Sequence, residues 1–231
     1  MPRRWELPPD TPAPPDLLAA ADGDGLLARL LERRGLESAS EATAFLNPDR
    51  YVPCPPEALP GTEQAVGMIL AAARRNDIVY VWGDLDADGI TATAVLAEAL
   101  TAAGLHVVTG LPTRAEGHGL PERAVDDALA CGARLLITCD TGIGENPAIA
   151  QARARGLAVI VTDHHDLPSP ELLPAADVIV NPKSLPEAHP LHELSAAGIA
   201  WLVARGLALS HGPGIPDLDR LLDLVAIGLV A

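Results

Sequence analysis

Ile78-Val79-Tyr80-Val81-Trp82-Gly83-Asp84-Leu85-Asp86-Ala87-Asp88-Gly89-Ile90-Thr91-Ala92 decides how the rest of the chain is read. Its five leading residues are apolar, all β-branched or aromatic, and make a short buried strand. A glycine and three aspartates at alternate positions follow. From Ile90 to Ala103 the pattern turns helical. A strand that opens onto a polar turn and then a helix is the repeating unit of a parallel α/β sheet.

The unit recurs downstream. Leu105–Leu111, Leu135–Cys139, Leu157–Thr162 and Val178–Val180 read as further buried strands. Pro121–Cys131, Asn146–Arg155, Ala196–Leu209 and Asp217–Val230 read as helices. Pro121 and Pro147 suit a first helical turn. Gly104, Gly132 and Gly156 stand where helices should stop. The fold class expected for residues 61–231 is α/β, a parallel sheet covered by helices on both faces, entered through a helix at Gly61–Arg75. Residues 1–60 read as an irregular, mainly helical lead-in. There, proline-rich stretches (Pro8-Pro9, Pro12 to Pro15, Pro53 to Pro56) flank helical patterns at about 16–34 and 39–46.

In such a sheet, ligands bind beyond the carboxyl ends of the strands. Three strands here end in acidic or imidazole groups: Asp84, Asp86 and Asp88 after the first, Asp140-Thr141-Gly142 after the third, and Asp163-His164-His165-Asp166 after the fourth. Each cluster has a plainer reading. A lone aspartate at a strand end is usually a helix cap, and paired histidines are often merely exposed. Asp84 to Gly89 also resembles the start of a calcium-binding EF-hand loop. That loop needs a glutamate twelve residues in and flanking helices; the twelfth residue here is Val95, and a strand precedes it. Three such clusters, each directly after an apolar run, are what a site for two metal ions requires. Hard divalent cations take carboxylates, and imidazole shifts the preference toward Mn²⁺ over Mg²⁺. Two ions ~3.5–4 Å apart share a bridging carboxylate and a water that attacks phosphorus in line.

The motifs become specific when taken in order. Asp86-x-Asp88-Gly89, Asp140-Thr141-Gly142 and Asp163-His164-His165 resemble the first three motifs of the DHH phosphoesterase superfamily. Within it, the run from Gly83 to Ala92, the segment Arg114-Ala115-Glu116-Gly117-His118-Gly119-Leu120, and the turn Ser195-Ala196-Ala197-Gly198 resemble the RecJ-type exonucleases. So do the lead-in pieces Phe45-Leu46-Asn47-Pro48 and Leu59-Pro60-Gly61. The resemblance covers nearly the whole chain. It implies that Asp86, Asp88, Asp140 and His164 are metal ligands, with Asp140 the bridge. Asp84 and His165 stand beside them, coordinating directly or bracing a ligand. Asp140, His164 and His165 are then the catalytic set, Asp163 orients His164, and Arg114 grips a substrate phosphate. The implied cofactors are two Mn²⁺ or Mg²⁺ ions. The implied partners are single-stranded DNA and, among proteins, a single-strand-binding protein or a helicase.

The chain departs from the family at three places. Many relatives have His at the Trp82 position as a further ligand, and at 118 they commonly have Tyr where this chain has His118. The run Leu222 to Ala231 resembles the fourth motif, whose ligand aspartate normally follows directly, and the sequence stops there. The DHH-associated and oligonucleotide-binding domains are absent as well. The expectation is therefore a truncated chain that binds DNA weakly and cleaves it poorly on its own.

Composition bounds this reading. No apolar run approaches the ~18 residues of a bilayer span, and Met1 to Trp5 leads into polar, proline-rich sequence instead of a secretory signal. The expected location is the cytoplasm. Cys54, Cys131 and Cys139 form no C-x-x-C pair, which argues against a disulfide or zinc framework. The net charge of −15 opposes a polyanionic ligand. Lys183 is the only lysine, so arginines must supply most phosphate contacts. Three functions fit: a 5′-to-3′ single-strand-specific DNA exonuclease in repair and recombination; a DHH phosphodiesterase acting on short oligoribonucleotides, cyclic dinucleotides or polyphosphate; and a non-catalytic scaffold. The first-motif run and the long lead-in favour the first. The intact set Asp86, Asp88, Asp140, His164 and His165 disfavours the third, because clustered like charges are costly without a use.

Overall fold

The computed structural model describes residues 11–211 and 218–230. Pro8-Pro9, Asp217 and Ala231 fall outside the described residues. The chain divides into two compact units, Met1–Pro53 and Cys54–Ala231. The division precedes the expected boundary at residue 60, because the 3-10 turn Pro56–Ala58 and the buried Leu59 belong to the larger unit's core.

In the smaller unit, α1 (Pro15–Ala20), α2 (Gly25–Arg33) and α3 (Ala39–Leu46) gather around Leu17, Ala28, Leu31 and Ala42. The helix expected over 16–34 is two helices. Asp22 and Gly23 take left-handed conformations (φ 50° and 84°), and Asp24 then caps α2 by accepting the N–H groups of Leu26 and Leu27. α3 starts with a capping box between Ser38 and Glu41.

The larger unit follows the strand–helix alternation. Its elements are α4 (Thr62–Arg75), β1 (Ile78–Trp82), α5 (Ala87–Ala102), β2 (His106–Gly110), α6 (Glu122–Ala130), β3 (Ala133–Cys139), α7 (Asn146–Ala154), β4 (Ala158–Thr162), β5 (Val178–Val180), α8 (Ala196–His211) and α9 (Leu222–Val230). Before α9 the helical pattern begins as a 3-10 turn, Leu218–Leu221. Gly104, Gly132 and Gly156 all have positive φ where α5, α6 and α7 end.

All five strands are parallel, in the order β2-β1-β3-β4-β5. Alternate strand residues serve opposite faces. Val79, Val81, Leu135, Ile137, Cys139 and Ile160 join the core under α4, α5, α8 and α9, while Tyr80, Trp82, Leu136, Val159 and Val161 join the core under α6 and α7. Each such apolar side chain contributes about 1.5–3 kcal/mol when fully buried. The chain leaves β1 toward one edge through α5. It returns past β1 to β3 through α6, on the other face. The order therefore reverses between β1 and β3, and a crevice opens there beyond the strand ends.

Candidate metal centre

Each of the five strands delivers a loop to that crevice. Beyond β1, Gly83 to Asp86 make a tight turn into α5, and Asp86 caps the helix by accepting the N–H of Gly89 at 2.9 Å. A Cβ on Gly89 would stand 2.7 Å from the backbone of Asp84. Only glycine lets α5 start this close to the strand.

Asp140 directly follows β3 and has φ 64°, a left-handed conformation that aspartate tolerates better than most side chains. Its carboxylate is almost fully buried (1% exposed). Oδ1 lies 3.1 Å from His164 Nε2 yet has no well-directed hydrogen bond. Burial pushes the Asp140 carboxyl up to about 6, against the pull of His164 and with help from Asp88 and Asp86. His164 in turn is raised, first by Asp140.

Beyond β4, His165 turns its Nδ1 to Asp163 and His164 turns its Nε2 to Asp140, with the two imidazole rings side by side at 4.8 Å between centroids. Asp163 therefore braces His165 and not His164, which corrects the expected pairing. Its Oδ1 accepts from His165 Nδ1 at 2.7 Å, and its Oδ2 accepts from the Ile143 N–H at 2.9 Å. Burial pushes Asp163 up, but these hydrogen bonds outweigh it and hold the carboxyl below its usual range. Asp163 in turn lifts His165 to about 9.

Ligand atoms of Asp140, His164 and His165 all lie within 4.8 Å of one another. Asp88 Oδ2 lies 3.8 Å from His164 Nε2. Both Asp88 oxygens are already engaged at 2.8 Å, by the N–H groups of Ala196 and Ala197 at the start of α8. Asp86 is exposed at the rim, close enough for its charge to raise Asp140. Asp84 is turned aside: Oδ1 accepts the Leu85 N–H, and Oδ2 meets His118 Nδ1 at 2.9 Å. An unsatisfied buried carboxylate oxygen, a second carboxylate and two imidazoles fit a Mn²⁺-like cation, and histidine braced by carboxylate is the usual arrangement for a ligand.

Other expected residues sit differently. Arg114 is exposed on the loop after β2 and makes no ion pair among the described residues. Glu116, its sequence neighbour, binds Arg123 at 2.7 Å instead. Trp82 is completely buried in the α6/α7 core, with its indole N–H donating to the Gly119 carbonyl at 3.0 Å. The sequence reading missed three residues as parts of the site. His118 and Glu145 line the same cleft as Asp84, Asp140 and His165. Asn181, just beyond β5, donates to the His165 carbonyl at 2.9 Å. Asn181 alone directly follows a strand; His118 and Glu145 lie farther along their loops, where strand ends gave no signal.

The chain is similar to known proteins. The model of the DHH family, N-terminal domain, matches residues 78–229. The single-stranded-DNA-specific exonuclease RecJ of Escherichia coli (strain K12) is 39% identical over 219 residues, covering 89% of this chain and 37% of that protein. Its namesake from Bacillus subtilis (strain 168) is 36% identical over 230 residues, covering 99% and 28%. The chain thus spans about a third of the length of the curated relatives it matches. Among solved structures, RecJ of Thermus thermophilus in complex with Mn²⁺ superposes with a TM-score of 0.76 at 27% identity, covering 96% of this chain and 31% of that one. An exonuclease RecJ bound to manganese gives 0.69 at 32% identity, covering 78% and 45%.

Proposed function

Since this chain belongs to the DHH family, we propose that it is the metal-binding catalytic part of a 5′-to-3′ exonuclease specific for single-stranded DNA, acting in repair and recombination. The observation that carries the reading is the buried Asp140 carboxylate, with one oxygen unsatisfied and two imidazoles within reach. The similar proteins are named single-stranded-DNA-specific exonucleases, and similar structures hold Mn²⁺. Asp140, His164 and His165 hold the divalent ions, with Asp86 at the rim and Asp88 beside them. Bound Mn²⁺ or Mg²⁺ supplies an activated water and neutralises charge on the phosphoryl oxygens. Asp163 fixes the His165 ring, Asn181 fixes its backbone, and Arg114 is free to meet a phosphate. No helix among the described residues is long and apolar enough to cross a membrane; the place of action is the cytoplasm. A single-strand-binding protein or a helicase delivers the strand.

The test is Mn²⁺-dependent release of mononucleotides from a 5′-labelled single-stranded oligonucleotide, alongside a melting curve with and without Mn²⁺. Ion binding to the fold raises its stability by RT ln(1 + [Mn²⁺]/Kd). A preference for dinucleotides or polyphosphate over long single strands would move the chain to the other DHH substrates. No thermal shift with Mn²⁺ would contradict the metal centre itself.

A further inference from the structure

The crevice contains two histidines built on one plan. His165 is held through Nδ1 by buried Asp163 at 2.7 Å, and His118 is held through Nδ1 by buried Asp84 at 2.9 Å. Both line one cleft, whose floor is Asp140 to Glu145. His165 belongs to the metal cluster. His118 does not: it comes from the loop after β2, at the opposite side, and its ring is largely exposed (65%). Nothing assigned to the metal centre accounts for a carboxylate-anchored imidazole there.

We propose that His118 is a substrate-binding residue of this cleft, anchored by Asp84 and presenting Nε2 to a phosphate oxygen of the DNA strand that lies across the metal centre. The proposal rests on the exonuclease reading above and adds a contact to it.

Two observations support it. First, the position is fixed from behind. The Trp82 indole holds the Gly119 carbonyl, and Asp84 holds the ring, so His118 is presented on a rigid backing. A pre-positioned group loses less entropy on binding than a free side chain. Second, the cleft is short of cations. Arg123 is spent on Glu116 and Asp127, and Lys183 on Glu193. Of the loop after β2, Arg114 and His118 remain to meet a phosphate, one free and one anchored.

The test uses His118→Phe, which removes both nitrogens, and His118→Gln, which keeps an amide N–H near the place of Nε2. Affinity for a fluorescein-labelled oligothymidylate is measured by anisotropy at low salt with Mn²⁺ present. Mn²⁺ affinity is measured separately by electron paramagnetic resonance. His118→Phe is expected to weaken DNA binding about tenfold or more, the range for losing one hydrogen bond to a charged group. His118→Gln is expected to recover most of that, with Mn²⁺ affinity unchanged in both. If the unmodified chain binds the strand and His118→Phe binds it equally well, the proposal is overturned while the exonuclease reading stands. A fall in Mn²⁺ affinity overturns it too, by making His118 a metal ligand. Failure of the unmodified chain to bind single strands overturns this contact, while the exonuclease reading is decided separately by the release of mononucleotides.

Discussion

Asp88 and Ala197 are 109 residues apart in sequence, yet the Asp88 Oδ1 accepts the Ala197 backbone N–H at 2.8 Å, while Oδ2 does the same for Ala196. A residue on α5 thus caps α8. A carboxylate at a helix N-terminus satisfies orphan donors and opposes the helix dipole. Asp88 has two duties, because Oδ2 also faces His164 at 3.8 Å.

Asp88→Ala is therefore expected to lower stability even without metal, by about 1–3 kcal/mol, the cost of losing a buried charged cap. Asp88→Asn keeps one acceptor and should lose less. Urea unfolding in EDTA reads the difference. Metal-free variants as stable as the unmodified chain would leave Asp88 with only its role beside His164.

Gly228 on α9 closes the same junction. A Cβ there would stand 2.4 Å from Asp88 Oδ1 and 2.6 Å from the Ala197 Cβ. Replacing glycine by alanine in a helix normally stabilises by up to about 1 kcal/mol. Here the sign reverses: Gly228→Ala should destabilise by about 1–3 kcal/mol through overpacking. It should also weaken Mn²⁺ binding, because α9 can relax only by displacing Asp88 or α8. Unchanged melting and metal affinity would show that α9 moves away freely.

Asp88 also marks what the sequence could and could not disclose. β1 and β5 end where the apolar runs end, and the acidic clusters sit at strand ends as the α/β pattern requires. Those features are local, set by spacing of two against 3.6 residues. Partner choice is not local. Nothing in Asp163-His164-His165 says which imidazole the aspartate braces; only the folded chain places Asp163 Oδ1 on His165 Nδ1 and His164 Nε2 beside Asp140. Nothing near Asp88 points to Ala196. The helix expected over 16–34 breaks at Asp22-Gly23-Asp24-Gly25 for a local reason: Asp22 and Gly23 adopt positive φ, the Gly23 N–H closes onto the Leu18 carbonyl, and Asp24 caps the next helix.

Asp140→Asn tests the electrostatics of the centre without metal. Asn tolerates the φ of 64° at this position as well as Asp does. In the fold the Asp140 carboxyl rises from its ordinary 3.8 to about 6. Below about pH 4 both the folded and unfolded forms are protonated and nothing is lost. As pH rises toward 6 the unfolded chain ionises first, so folding loses stability, and the penalty is complete above about pH 6. Metal-free Asp140→Asn should therefore be more stable than the unmodified chain at pH 7, by about 1–3 kcal/mol, with the advantage vanishing by about pH 4. With Mn²⁺ the order should invert, because the mutant loses the ligand. A constant difference across the pH range would place the effect in packing instead of charge.

Trp82→Phe separates the support of the cleft from the metal centre. The Trp82 indole is fully buried beside Tyr80, and its N–H satisfies the Gly119 carbonyl in the interior. Phenylalanine leaves that carbonyl without a partner and a gap where the second ring stood. An orphaned buried acceptor costs about 1–3 kcal/mol, and the lost volume adds to it. The backbone at 118–119 loses its brace, so His118 should no longer sit squarely over Asp84. The ligands Asp140, His164 and His165 come from β3 and β4, not from this loop. Metal affinity should therefore hold while stability and single-strand affinity fall together. The comparison to make is a urea melt, a Mn²⁺ titration and an oligothymidylate titration on the same preparation. Lost Mn²⁺ affinity with intact DNA binding would show that Trp82 supports the metal centre, and that the loop after β2 does not depend on it.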